Sequence, residues 1–187
     1  MSPMPKDIYP ESGFRLPLPK RDDFNDYGGK VYDKIVGPGS RLHSPRLAEH
    51  AYTLNQYLRF ESGFSRQIRE LAILVTAREM DSQFEWVAHE PVAVKEGLAQ
   101  EIIDVVKYCK GVEELPETEA VVIQFGREMF RQKKVTSETF ARALKIFGPK
   151  QLVELVVLIA LYSATAVELG AFDMQLHSGQ KPLLPLP

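Results

Sequence analysis

Cysteine is nearly absent from this chain of 187 residues: Cys109 is the only one. No internal disulfide is possible, and no CxxC pair exists for redox or zinc chemistry. That usage fits a reducing compartment, so a cytoplasmic location is expected. Charge of one sign is also lacking, since 23 Lys and Arg stand against 25 Asp and Glu for a formal net charge of -2. Nothing in that balance attracts nucleic acid or an anionic membrane, and neither is expected as a partner. The opening "MSPMPKDIYPESGFRLPLPK" has no apolar run, which argues against a signal peptide. The longest uncharged stretch, "LVVLIALYSATAV" at 155–167, falls short of the roughly 20 residues that span a bilayer. It reads as a helix buried inside protein. HExxH, P-loop and dinucleotide fingerprints are missing, so no metal or cofactor is expected. A carboxylate–histidine metal site using the acids that flank His89 stays open as an alternative.

Strand alternation is missing too, and the chain reads as all-α, of a length that suits one domain. Pro3, Pro5, Pro10, Pro17 and Pro19 make residues 1–21 an extended arm, because each fixes φ and removes a donor. The tail at 176–187, with "GQKPLLPLP", reads the same way. Wrapping a neighbouring subunit is a use for such arms. Between them, 22–175 forms the helical domain. A first helix is expected over 22–36, followed by the loop "GPGSRLHS". Ser44 with Pro45 opens a helix through about Arg59, and Ser65 caps the next. After a break at 80–82 comes a helix ended by Gly97. Others fit 99–110, 116–132 and 136–147, the last capped by Thr136, and Gly148-Pro149 starts the apolar one. "IRELAILV" (68–75) echoes "LVELVVLI" (152–159), with Glu70 and Glu154 in equivalent places; the match is too short to establish a repeat.

The stretch "DSQFEWVAHE" at 81–90 gathers Ser82, Glu85, the single tryptophan Trp86 and His89. On a helix Ser82, Glu85 and His89 share one face. Two readings compete. Ser82 with Glu85 three later is the capping-box pattern, and Glu85 pairs with His89 at i+4 as a plain surface interaction. Alternatively the face carries chemistry. Trp86, beside Phe84, is either core or a substrate platform. Glu70 interrupts an apolar helix face, where a buried carboxylate is costly unless paired or used. Arg66, Arg69 or Arg78 neutralises it, or it is a desolvated acid of raised pKa poised against His89.

The segment "RELAILVTAREMDSQFEWVAHEPVAVKEGLAQEIIDVV" resembles the core motif of the carboxymuconolactone decarboxylase family, within the alkylhydroperoxidase-D-like superfamily. Glu70 in "RELAIL", Glu85, Trp86 and His89 in "FEWVAH", and Gly97-Leu98 carry the resemblance. It extends through "VYDKIVGP", "LHSPRLAEHA", "LRFESGF" and "FARALKIFGPKQLVELVVLIALYS", covering roughly residues 20–175. The resemblance implies the helical bundle of that superfamily and assembly into homo-trimers or hexamers. Peroxidase members place cysteines seven and four residues before the histidine. Here those positions are Ser82 and Glu85, which offer no thiolate, so thiol peroxidase activity is disfavoured.

The resemblance implies instead a cofactor-independent decarboxylase or proton-transfer enzyme for a small carboxylated lactone-like or enolisable substrate, of 4-carboxymuconolactone type, in aromatic compound catabolism. Loss of CO₂ from such a lactone leaves a dienolate, which needs donors for its charge and a proton delivered to carbon. His89 is the expected proton or oxyanion donor. Glu85 or Glu70 holds its tautomer, and Trp86 helps exclude water. His43, in "RLHSPRL", is a further candidate to bind a substrate carboxylate, against the plainer reading of a loop histidine packed near a helix start. His50 and His177 read as structural or surface residues. A non-catalytic family member that binds a small acid, or only forms an oligomeric scaffold, is the alternative. Convergence of Glu70, Glu85 and His89 on a pocket without a neutralising arginine favours catalysis; a buried capping box over a sealed interior favours the scaffold.

Overall fold

Three side-chain caps decide where helices begin. Ser65 Oγ accepts from the Ile68 N–H at 3.2 Å, and Thr136 Oγ1 accepts from Thr139 N–H at 3.2 Å. Asn25 Oδ1 accepts from Gly28 N–H at 2.9 Å, so the first helix starts later than expected. The computed structural model describes residues 5–35 and 39–185, which leaves Pro3, the end of the first expected helix, part of its loop and the last two tail residues outside. Among the described residues are seven α-helices and no strand, apart from one β-bridge between Tyr9 and Phe14. They are α1 (Asp26–Lys34), α2 (Pro45–Phe60), α3 (Arg66–Glu79), α4 (Gln83–Lys95), α5 (Gln100–Lys107), α6 (Glu117–Gln132) and α7 (Ser137–Ala171). Ser44 caps nothing with its side chain, although Pro45 does occupy the first turn of α2.

α3 is the centre: ten of its fourteen residues are buried, and α4, α5, α6 and α7 all pack on it. Burying each of Leu71, Ile73 and Leu74 stabilises the fold by about 1.5–3 kcal/mol. The approach of α6 depends on Gly126, where an added Cβ would stand 2.4 Å from Val75 Cγ1. Buried Glu128 ties α6 to the start of α7, accepting from Thr136 N–H at 2.7 Å and from the Thr139 hydroxyl at 2.8 Å.

α7 breaks at Gly148 (φ 67°, ψ 172°), where a left-handed residue before Pro149 lets the second arm take a new direction. Leu152, Leu155, Leu158, Ile159 and Tyr162 turn into the core. Ala160, Ala164 and Val167 stay exposed, so the apolar stretch at 155–167 is buried on one face only, a correction to the expectation from sequence. Counted as one helix, α7 is also the single helix among the described residues long and apolar enough to cross a membrane by length and composition. Its packing against α3 and α6 makes it a core element of the bundle.

The arms fold back on their own chain. Phe14 is fully buried, Arg15 N–H donates to Phe172 O, and Gln175 N–H donates to Gly13 O, both at 2.9 Å. In the tail, Leu184 is buried and Gln83 Oε1 accepts from the Leu183 and Leu184 N–H groups. The tail is thereby strapped over the first turn of α4.

Candidate active site

Glu70 and His89 face each other across the α3–α4 pair. His89 Nδ1 lies 2.7 Å from Glu70 Oε2, and Glu70 itself is fully buried. The other carboxylate oxygen meets Arg69 Nε at 3.1 Å and Arg59 Nη2 at 3.6 Å. Burial pushes the Glu70 carboxyl up, but His89, Arg59 and Arg69 together outweigh it and hold it below the usual range. Glu70 is therefore an ionised, neutralised carboxylate. The expectation of a raised pKa is corrected, and so is the partner list: Arg69 is present, Arg59 was not foreseen, and Arg66 and Arg78 pair with Glu96 and Asp81 instead. A carboxylate only accepts, so Nδ1 of His89 carries the hydrogen and neutral His89 has its lone pair on Nε2.

Glu85 is in the opposite condition. It is 3 % exposed, and neither of its oxygens has a hydrogen-bond partner. Burial raises its pKa to about 8, against the weaker pull of Ser82 and Arg41, so it is a neutral carboxylic acid at pH 7. The capping box does not form: Ser82, at φ -81° and ψ 91°, makes no side-chain cap bond. It is Glu70, and not Glu85, that holds the histidine.

Glu85 and His89 both line a cavity of about 220 Å³ walled by α2, α4 and α7 and by Arg41. Asn55 and Arg59, at i and i+4, contribute from α2, and Tyr162 and Thr165 from α7. Tyr162 packs edge-on against the His89 ring at 5.3 Å and 83°, and burial keeps its phenol protonated well above the ordinary range. Five buried side-chain N or O atoms lack a partner among the described residues. Four belong to cavity-lining groups: Asn55 Oδ1, Arg59 Nε and the two Glu85 oxygens. Each such orphan costs about 1–3 kcal/mol unless water or a ligand meets it.

Two candidates from the sequence stand elsewhere. Trp86 is wholly buried in the core, with Nε1 donating to Glu90 Oε2 at 2.7 Å, and does not line the cavity. His43 Nε2 sits 2.9 Å from Pro17 O on the outside of the arm, away from Glu85 and His89. Asn55, Arg59 and Tyr162 were missed; the only sequence hint was the four-residue spacing of Asn55 and Arg59. Cys109 is exposed beside Arg78 and Arg131 and takes no part in the cavity. Among the described residues, no group of three or more His, Cys, Asp or Glu is arranged to hold a metal ion.

No family model and no curated protein matches the chain. Among solved structures it is similar to the alkylhydroperoxidase AhpD core of an uncharacterized peroxidase-related protein from Ralstonia eutropha JMP134. The TM-score is 0.69 at 16 % identity, over 89 % of this chain and 93 % of that one. The fold is accordingly the all-helical AhpD-like one.

Proposed function

We propose that this protein is a cofactor-independent proton-transfer enzyme for a small enolisable or lactone-like acid, with His89 as base and Glu85 as acid. One observation carries it: two titratable groups four residues apart on α4 line the same cavity, and their surroundings differ in kind. Pairs of that sort divide acid from base duties. Nε2 of His89 takes a proton from the carbon beside a carbonyl. The C–H electron pair moves into the carbonyl, whose oxygen receives the Glu85 proton, giving an enol and a Glu85 carboxylate. Return of the enol proton to Glu85 and of the His89 proton to the same or another carbon completes exchange or isomerisation. Loss of CO₂ from a carboxylated lactone uses the same pair, with Glu85 meeting the dienolate oxygen and protonated His89 supplying the carbon. Arg59, through its unpartnered Nε, is the group suited to a substrate carboxylate.

The observation set out to separate catalysis from scaffold gives a mixed outcome. Glu70 is neutralised by arginine, but the capping box is absent and the interior is open to a cavity. The neutral acid at Glu85 is the feature that supports the catalytic reading. Self-assembly as a homo-trimer or hexamer belongs to the same proposal, supported by exposed Val153 and Val167 on α7 and Leu47 and Phe60 on α2; light scattering on the purified protein tests it. The chemistry is tested by deuterium wash-in from D₂O at the carbon beside the carbonyl of 2-oxobutanoate and of a carboxylated butenolide. Exchange at the solvent rate for both would refute it.

A further inference from the structure

The cavity around Glu85 and His89 adjoins a second one of different character. The outer chamber measures about 420 Å³ and shares Arg41, Asn55, Phe84, Thr165 and Leu169 with the inner one. Its own walls are largely apolar: Leu42, Ala48, Ala51, Tyr52 and Met174. Ala48 and Ala51, at i and i+3 on α2, are small side chains that leave the space open. The charges here are spent on each other, since Arg41 Nε meets Glu168 Oε2 at 2.6 Å and Arg41 Nη2 donates to Thr165 Oγ1 at 2.9 Å. Ser40 adds a further bond to Glu168.

The inner chamber is charged differently. Arg59 lines it, and behind the wall Arg59 and Arg69 together face the single carboxylate of Glu70, while Glu85 keeps its proton. One positive charge is left without a counter-charge, and Arg59 Nε is the donor without an acceptor. At about 220 Å³ the inner chamber is smaller than the roughly 300–1,000 Å³ of ordinary small-molecule sites. A bare short acid would leave the apolar chamber unused.

We infer that the cleft takes a monoanionic acid with an apolar extension: the carboxylate at Arg59 in the inner chamber, and an aryl or alkyl group beside Ala48, Ala51 and Met174 in the outer one. This rests on the reading that the Glu85–His89 cavity is the working site, and it narrows the substrate from any small acid to an extended one. Asn55, at the junction, meets the substrate between head and tail, where its unpartnered Oδ1 accepts from a hydroxyl or enol.

Calorimetric titration at pH 7 tests this with 2-oxobutanoate, 4-phenyl-2-oxobutanoate and the amide of the latter. The extended acid should bind at least about tenfold tighter than the short one, since two buried methylene equivalents suffice for that factor. The uncharged amide should lose about tenfold or more. Ala51→Trp, which fills the outer chamber, should abolish the gain from the phenyl group; Met174→Trp repeats the test from another element should Ala51→Trp not fold. Equal affinity for the short and extended acids, a phenyl gain that survives both fillings, or an amide that binds as well as the acid overturns the inference. Binding is read without turnover. Tight binding of the extended acid without deuterium exchange contradicts the proton-transfer reading alone, whereas exchange on 2-oxobutanoate with no gain from extension contradicts this inference alone.

Discussion

His89 donates its Nδ1–H to Glu70 Oε2 at 2.7 Å, and Glu70 is fully buried between that histidine and two arginines. The bond fixes which nitrogen of His89 is left for work. We predict that the neutral ring is the Nδ1–H tautomer, read from its ¹⁵N shifts, and that Glu70→Gln weakens that preference. Glu70→Ala should cost about 3–5 kcal/mol by urea unfolding, because it strands Arg59 and Arg69 beside a buried site. A loss below 1 kcal/mol would show that the cluster is not paired as described.

Glu70 and Glu85 should make stability depend on pH with opposite signs. Glu70 is held below the ordinary carboxyl range, so its contribution is present above about pH 4.5 and is lost on acidification. Glu85 is raised to about 8, so the folded state binds the extra proton, and its contribution is full below about pH 4.5 and lost as pH rises through 8. The slope from Glu85 is at most about 1.4 kcal/mol per pH unit. Glu85→Gln should therefore raise Tm relative to the native chain at pH 9 and change it little at pH 5. The same Tm difference at both values would mean that Glu85 is not a buried neutral acid.

Serine caps offer a contrast inside one fold. Ser65→Ala removes a cap bond and should cost about 1 kcal/mol, whereas Ser82→Ala removes none and should cost under about 0.5 kcal/mol. Equal losses in parallel denaturant titrations would restore the capping box at Ser82.

Gly126→Ala places a methyl against Val75 at the α3–α6 contact and should destabilise by about 1–3 kcal/mol. Val75→Ala combined with it should recover part of that loss, which a double-mutant cycle reads directly. Strict additivity would place the strain elsewhere.

Much of the frame was legible because its signals are local. Ser65, Thr136 and Gly148-Pro149 act within a few residues of themselves, so helix limits around them could be read from the chain. Spacing also placed Glu85 and His89 on one face of α4. It did not say which face meets water, the core or a cavity: Glu85 and Trp86 are neighbours, yet one lines the cavity and the other is locked to Glu90 in the core. Asn55 and Arg59 come from a helix distant in sequence, and only the packing of α2 beside α7 brings them to His89. The reciprocal half of the Ser82 capping box is missing for a tertiary reason as well, since the Ser82 N–H donates to Ala77 O at 2.8 Å and the Glu85 side chain lines the cavity.

Deuterium wash-in by proton NMR is the most direct test of the acid–base pair, with 4-phenyl-2-oxobutanoate in D₂O at pH 7 and Glu85→Gln and His89→Ala alongside the native chain. The native protein should incorporate deuterium at the carbon beside the ketone well above the solvent rate, and each substitution should slow it by about a hundredfold or more. Native-level exchange in either variant would remove that residue from the chemistry, and solvent-level exchange in the native protein would contradict the catalytic reading itself.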